Sequence, residues 1–490
     1  MPLPCQSLPL HGPGKRWTVG TLSYSTSGLV LVIFWLLLAQ VGVSLRDRAA
    51  ADATSLLLRR LGASNTALAF LTVVVSTAIV VLFGPAISYR SDRFRSRWGR
   101  RIPFLLVAIP IATAGMIGIA FTPELGDKLR ALCGAGPLAD MNHALIVFGV
   151  CSAIYQIASV TTGMAYTGLV NDVVPRPVMG RTFSLIRMIS LICGIVINYG
   201  VYRYFESHFR LLFLLLAAIF FVTFMAMCLA VREGDYPPPP DVIRTGPTWR
   251  QELGGAFSEL WRARFWRAKL AALVRVLWLC FPPRVRQYIV LCFSRSYYRW
   301  VIAALTLGAL CAVPVNAFSP WYMKSLGMDL ETYGKIKAVN HFCGFLLAFP
   351  IGMLVDRFHV LRVSMVTMGM YAVTLMLGAM FIQSPWSFGW AVFGHMVVAG
   401  FYLSASGALA PLLLPRLKFA QFLAASTVVT SIATMITSLA MGYILDKTNN
   451  NYRLTYVASS ILAFSALAVM IVVYRKFMAL GGPKGYTAPE

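Results

Sequence analysis

The chain has 490 residues, of which 58% are hydrophobic and only 12% charged, with a mean hydropathy of +0.70. A soluble globular domain carries roughly 25% charged residues, so the composition excludes the soluble classes and points to a membrane protein. The formal net charge of +25 would suit a nucleic-acid binder only on a soluble basic domain. The sequence offers no such domain, and the charge becomes a matter of topology.

Near the amino end, Lys15 and Arg16 precede the apolar run Gly28 to Val43, an order shared with secretory leaders. The run is long and Leu45-Arg-Asp-Arg48 is a poor cleavage context, so a retained first span over 25–44 is expected. Further stretches of bilayer length, roughly 17–25 residues, fall near 65–89, 102–122, 142–170, 183–204 and 210–231. A second set follows near 299–322, 333–355, 361–383, 387–414, 419–445 and 453–475. The pattern predicts an all-α polytopic membrane protein with twelve transmembrane helices in two six-helix halves, 1–231 and 299–490.

Between the halves, 232–298 is charged and proline-rich. It opens with VREGDYPPPP, a stiff polyproline-like exit. It continues with Trp249, Leu253, Phe257, Leu260, Trp261 and Phe265 at helical spacing among arginines, the pattern of a basic helix lying in the membrane interface. A thirteenth span at 265–281 is the alternative, and would place Arg267, Lys269 and Arg275 in lipid, which is costly.

Lys and Arg are retained in cytoplasmic loops. With both termini inside, 29 of the 43 face the cytoplasm and 11 the outside, so a cell-membrane protein with both termini cytoplasmic is expected. The first outer loop, holding Arg46, Arg48, Arg59 and Arg60, runs against the rule. The nine cysteines lie mostly in apolar runs and never as CxxC, which predicts apolar fillers, with no metal site and no cofactor beyond a coupling proton.

One inner loop repeats. SDRFRSRWGRRIP, from Ser91 to Pro103, follows the second span, and IGMLVDRFHVLR, from Ile351 to Arg362, follows the eighth. Both put Asp-Arg at the inner end of a span, Asp92-Arg93 and Asp356-Arg357, the mark of a duplicated transporter. With the six-plus-six pattern, the loop resembles that of the major facilitator superfamily. SDRFRSRWGRRIPF, together with NDVVPRPVMGR at 171–181, Arg187 and YIVLCFSRSYYRW before the seventh span, is similar to the glycoside-pentoside-hexuronide cation symporters and the sucrose-type proton symporters. The loop departs from the superfamily pattern at Ser88, where glycine is usual; serine is small enough for close helix packing.

The resemblance implies the major facilitator fold and a cytoplasmic gate in which acid and base pair across helix ends, here Asp92, Arg93, Arg97, Gly99, Arg100, Arg101, Asp356 and Arg357. The plainer alternative is that the arginines anchor the loop to anionic lipid. All 18 acids fall in loops or at expected span ends, so the carboxylates that the sodium-coupled relatives carry inside spans two and four are missing, which argues against sodium. A proton needs a titratable group, and His341, near Lys337 and Asn340 on one helix face, is the coupling candidate; His143 and His395 lie nearer span ends. Arg187, which matches the span-five arginine of the resembled family, either faces the cavity or pairs with Asp172.

Sugars are held by paired hydrogen-bonding groups and aromatic faces. Candidates at suitable depth are Gln40, Tyr155, Gln156, Arg187, Asn198, Asn316, Asn340 and Tyr402, with Tyr199 beside Asn198; any of them could instead bridge helices. The expected function is secondary active transport of a small polar solute, a sugar or glycoside, coupled to a proton, by a monomer in the lipid bilayer. A facilitative uniporter, a carrier of a nucleoside or muropeptide, and a non-transporting receptor are the other readings. An enzyme lacks support, since no HExxH or GxSxG occurs.

Overall fold

The computed structural model describes residues 17–19, 21–133, 142–234, 292–407, 409–415, 419–486 and 488–489. The interfacial helix expected around 249–265 and the alternative span at 265–281 lie outside the described residues. A short hairpin, β1 (Trp17–Val19) and β2 (Leu22–Tyr24), precedes the helices. Then come α1 (Thr26–Arg60), α2 (Asn65–Ala69) continuing through a π turn (Phe70–Val74) into α3 (Val75–Arg93), α4 (Ile102–Ala120), α5 (Thr122–Cys133), α6 (His143–Val173), α7 (Arg176–Val196) and α8 (Phe209–Ala230). The second set is α9 (Ser296–Leu310), α10 (Val313–Ser325), α11 (Leu330–Phe358), α12 (Val360–Phe381), α13 (Pro385–Ser406), α14 (Leu409–Leu413), α15 (Phe419–Lys447), α16 (Arg453–Ala479) and α17 (Gly482–Gly485).

Among the described residues, eleven helices are long and apolar enough to cross a membrane. The twelfth expected span is α11, an unbroken helix of 29 residues, about 44 Å long at 1.5 Å per residue. Helix starts follow local chemistry. Ser25 and Ser64 each accept a hydrogen bond from the amide three residues on, at 3.1 Å, and Asn142 does so for α6.

One boundary differs from expectation. The first span does not end near 44: α1 runs 35 residues to Arg60, so Arg46, Asp47, Arg48 and Asp52 are helical and not in an outer loop. Hydropathy falls after Val43 because charged side chains begin there. The helix continues because Leu56, Leu57, Leu58, Ala49 and Ala53 are buried against neighbours.

The chain forms two compact units, the first comprising residues 1–63, 78–239 and 330–342, the second 64–77, 240–329 and 343–490. In the first unit α1 packs on α7 and α8, and α4 on α6 and α8. In the second, α9 packs on α15 and α16, and α12 on α13 and α16. Counted by span, the same four pairings recur, as a duplicated six-helix bundle requires.

Close helix approach rests on small residues, since lipid gives helices no hydrophobic drive to associate. A Cβ at Gly115 of α4 would lie 2.9 Å from the backbone of Tyr155 on α6, and one at Gly118 would lie 2.7 Å from Cys151 Sγ. In the second unit, a Cβ at Gly378 would meet the Tyr456 ring at 2.5 Å. Span five also ends in a π turn, Ile197–Val201. Gly334 of α11 sits so near the Asn198 carbonyl and the Tyr202 side chain there that no Cβ fits.

Candidate functional site

The first unit holds a polar seam along α1. Gln40 donates to Ser44 Oγ at 2.9 Å. Two residues past Ser44, Arg46 is 3% exposed, with Nε and Nη2 on Asp47 Oδ1 at 2.9 and 2.8 Å. Its guanidinium lies 4.5 Å from the Phe220 ring centre and 5.6 Å from that of Tyr155, both within cation–π range. Asp47 keeps 53% of its side chain exposed. Gln40, Arg46 and Asp47 line a cavity of about 330 Å³ with Ser159, Tyr166 and Thr167 of α6, closed by Phe183 and Ile186 of α7. That volume lies at the small end of the ligand-cavity range.

The next face of α1 meets α11. Arg48 and Asp52, one turn apart, oppose His341 and Lys337, also one turn apart. Lys337 Nζ pairs with Asp52 and stands 5.4 and 5.5 Å from the Tyr202 and Tyr333 rings. Arg48 reaches His341 Nε2 at 3.1 Å and Ser190 Oγ of α7 at 3.2 Å. His341 Nδ1 contacts the Lys337 carbonyl at 2.7 Å. A carbonyl only accepts and a guanidinium only donates, so the imidazole carries its proton on Nδ1 and offers Nε2 to Arg48. The ring fits because Gly194 of α7 faces it: a Cβ there would lie 2.6 Å from the imidazole.

A second cluster lies in the SDRFRSRWGRRIP loop. Arg100 holds Asp172 of α6 through two hydrogen bonds of 3.0 and 2.6 Å. Arg101 reaches the same carboxylate at 3.3 Å and Ser91 Oγ at 2.9 Å. The amides of Arg100, Arg101 and Ile102 donate to the Glu233 carboxylate at 2.9, 2.8 and 2.7 Å. An anion thus sits on the N-terminus of α4, where unpaired amides and the helix dipole favour it. Gly99 has a φ of 99°, and a Cβ there would strike Glu233 at 2.5 Å. The next residue, Gly234, accommodates the hairpin: its Cβ would lie 2.7 Å from Thr21 Oγ1.

In the second unit, His395 is buried on α13 and accepts from the Tyr371 hydroxyl at Nδ1, 2.9 Å away. It donates from Nε2 to Asn316 Oδ1 at 3.0 Å. The Tyr402 hydroxyl tucks against Gly308 of α9, where no Cβ would fit. Asp446 of α15 accepts from the amides and side chains of both Asn65 and Thr66, at 2.6 to 2.9 Å. At the turn into α12, His359 takes a left-handed φ of 76° and caps Leu361; partial burial, with Arg362 nearby, pushes its imidazole below the ordinary value.

The predicted residues therefore part company. Gln40 lines the cavity, Tyr155 lies against Arg46, and His341 lies in the Arg48 seam. Asn198 is buried and donates to the Gly194 carbonyl at 2.6 Å, a helix-internal role. Asn316 and Tyr402 belong to the second unit, Asn316 on His395. Gln156 and Asn340 are half-buried on α6 and α11, and Tyr199 is exposed. Arg187 is exposed on α7 and does not pair with Asp172, which Arg100 and Arg101 occupy.

Of the gate residues, Arg100, Arg101 and Gly99 meet in one cluster. Arg97 lies over the Trp98 ring at 5.8 Å and Arg357 over Phe358 at 5.3 Å; Arg93 closes the last turn of α3. The side chains of Asp92, Asp356 and Ser88 lie outside the described residues. His143 is buried at the start of α6. Sequence reading missed Arg46, Asp47, Arg48 and Asp52. The available signal was their spacing: alternating charges at 46, 47, 48 and 52 continue a helix period, and four charges are unusual for an outer loop.

Two family profiles match: one described as MFS/sugar transport protein over residues 54–281, the other as Major Facilitator Superfamily over 300–485. Among solved structures, the chain resembles a D-xylose-proton symporter at 14% identity and a TM-score of 0.62, covering 90% of this chain and 97% of that one. It resembles a bacterial homologue of the iron transporter ferroportin at 14% and 0.64, covering 91% and 99%. It also resembles the nucleoside transporter NupG at 10% and 0.58, covering 90% and 100%. These identities speak for the fold alone. Joined to the repeated bundle, the interior polar cavity and the two profiles, they place the chain in the major facilitator superfamily, as a membrane transporter of a small-molecule substrate and not an enzyme.

Proposed function

We propose that this transporter is a secondary carrier of a sugar or glycoside, that the solute binds in the α1–α6–α7 cavity, and that a proton travels with it through His341. The observation that carries the reading is the cavity itself. Gln40 and Asp47 of α1 and Ser159 and Thr167 of α6 supply donors and acceptors, and Tyr166 supplies an aromatic face, the mixture that hydroxyl-rich rings require.

The coupling step follows from the His341 contacts. Its Nε2 is free of hydrogen only while Arg48 donates to it, so a proton arriving there expels the guanidinium. Facing that ring are Arg48 and Asp52 of α1 and Lys337 of α11, while Cys193 of α7 lies by Arg48 and Tyr202 and Tyr333 lie by Lys337. Among the described residues, the carboxylate acting on the ring is Asp52, and its pairing with Lys337 disfavours its taking the proton instead. Facilitated diffusion is the second reading, favoured by the fact that every hydrogen-bonding position of neutral His341 is satisfied.

The proposal further takes both termini as cytoplasmic, the chain as a monomer in the cell membrane, and Asp92, Arg93, Asp356 and Arg357 as gate residues. The orientation gains from the structure of α1, which removes Arg46 and Arg48 from the outer loops. Purified protein in liposomes with a lumenal pH dye tests the function. Sugar entry with lumenal acidification, lost in His341→Gln, is expected; entry without a pH change selects facilitated diffusion. No uptake of any sugar or glycoside in a panel, with uptake of a nucleoside, would overturn the substrate assignment.

A further inference from the structure

Lipid tails are as apolar as the helices they touch. A protein that keeps one lipid out of many therefore needs a concave seat for the chain and a charged contact for the headgroup. The first unit has such a seat where α4 meets α6, a groove of about 340 Å³. Its floor is Ala108 of α4 and Ala158 of α6, at 4% and 3% exposure. Its sides are larger: Phe104, Val107 and Ile111 of α4, and Ile157 of α6. Small residues below and bulky ones beside them make the surface concave. The three on α4 recur at three and four residues, so the groove follows that helix for about 10 Å. Thr161 also lines it, but its hydroxyl donates to the Ile157 carbonyl at 2.8 Å. The wall it leaves is hydrocarbon.

The mouth of the groove is basic. Phe94, the first residue past α3, lines the groove and meets Phe104 edge to face at 5.5 Å. Arg95 follows it and donates to the Phe94 carbonyl at 2.8 Å. The chain then turns: the Gly99 amide donates to the Ser96 carbonyl at 3.0 Å, and Ser96 Oγ donates to the Gly99 carbonyl at 2.7 Å. Arg97 and Trp98 are the two central residues of this four-residue turn. Both are exposed, with the guanidinium 5.8 Å from the indole ring. An arginine beside a tryptophan at a loop tip suits the headgroup layer. The loop's arginines thus divide, since Arg100 and Arg101 are spent on Asp172.

We infer that the groove and the turn together bind one anionic phospholipid, with an acyl chain along α4 and α6 and the phosphate on Arg97, assisted by Arg95. The ligand comes from the bilayer and is independent of the transported solute. The leaflet concerned is the one beside the α3–α4 loop, the inner leaflet in the proposed orientation, where anionic lipids concentrate. The groove seats the chain of any phospholipid. Selection lies at the turn, because a zwitterionic headgroup sets its own cation against the guanidinium. A second copy of the chain is the poorer occupant: pairing about a two-fold axis along the membrane normal would bring one Arg97 turn against the other.

The test uses purified full-length protein in detergent, stripped of lipid and titrated with dioleoyl phosphatidylglycerol, dioleoyl phosphatidylcholine or glycerol 3-phosphate. Tm is followed, and retained lipid is counted by native mass spectrometry. Phosphatidylglycerol is expected to raise Tm and to stay bound as one molecule per chain. Phosphatidylcholine should need roughly tenfold more lipid for the same rise, and glycerol 3-phosphate, which has no chain, should give none. Arg97→Gln should weaken the phosphatidylglycerol response roughly fivefold, the worth of one interfacial cation, and narrow the gap between the two lipids. Arg97→Lys should keep most of the response. Val107→Trp, which fills the groove from its rim, should weaken the response to both lipids.

Arg97 and Val107 are exposed, so these variants fold. Equal responses to the two lipids, or a phosphatidylglycerol response untouched by Arg97→Gln and by Arg95→Gln, overturns the headgroup contact and with it the inference. Lipid responses untouched by Val107→Trp overturn the groove as the seat. A lipid-free dimer that phosphatidylglycerol leaves intact assigns this face to a second copy and overturns the inference as well.

Discussion

Glu233 shows how one side chain can organise a loop. Its carboxylate receives three successive amides at the start of α4, and the two arginines that supply two of those amides turn their side chains to Asp172. The loop's positive charge is thus divided between backbone and side chain, and each share has its own acid. Replacing Glu233 with Gln removes the charge and keeps the volume. The expected loss is about 1–2 kcal/mol, read as a lower Tm of the purified protein, with Asp172→Asn at least as damaging because two arginines lose their partner. An unchanged Tm for Glu233→Gln would mean the carboxylate contributes shape alone. Sequence reading named Gly99, Arg100 and Arg101 through the motif, but Glu233 was invisible: it lies 131 residues beyond Ile102 and belongs to no pattern with it.

At the scale of elements, what was legible depended on what lipid sees. The long apolar runs gave the helices, because a bilayer of fixed thickness demands runs of fixed length. The extent of α1 was not legible, because its last five turns are faced by protein and carry charge, which hydropathy reads as loop. The same failure hid the cavity wall, since Arg46 and Asp47 lie just past the point where the run ends.

The fit of α11 on the span-five π turn was equally silent in the sequence. A wide turn exposes the Asn198 carbonyl, and only the hydrogen of Gly334 lets α11 approach it. Gly334→Val is therefore expected to push the two elements apart, at about 1–3 kcal/mol for an overpacked contact. It should also displace Lys337 from Asp52. Reduced Tm together with reduced uptake would be the signature, and Gly344→Val, at a glycine with open space around it, is the control that should leave both intact.

For the whole molecule, the two units repeat one set of helix pairings, and each carries its own acid-base loop, one after α3 and one after α11. A carrier of this superfamily works by exposing its site to one side at a time, and on the proposed gate reading the loops set the balance between those states. Asp92→Asn should lower uptake roughly tenfold, the effect of about 1.4 kcal/mol on a two-state balance, while the amount of protein in the membrane stays the same. Uptake at the wild-type rate would remove Asp92 from the gate. The repeat was legible because it is written twice in the chain; the substrate was not, because the polar residues that meet in the cavity come from two helices far apart in sequence, α1 and α6, and several of their look-alikes serve only to hold helices together.

The hairpin at Trp17–Tyr24 leans on Gly234, the neighbour of the glutamate that secures the inner loop. Fusing a bulky tag just ahead of Trp17, a routine step in purification, would load that hairpin and carry the disturbance through two adjoining residues into the arginine loop. A carboxyl-terminal tag avoids this route, and a difference in transport rate between proteins tagged at opposite ends would trace back to a glycine chosen for its lack of a side chain.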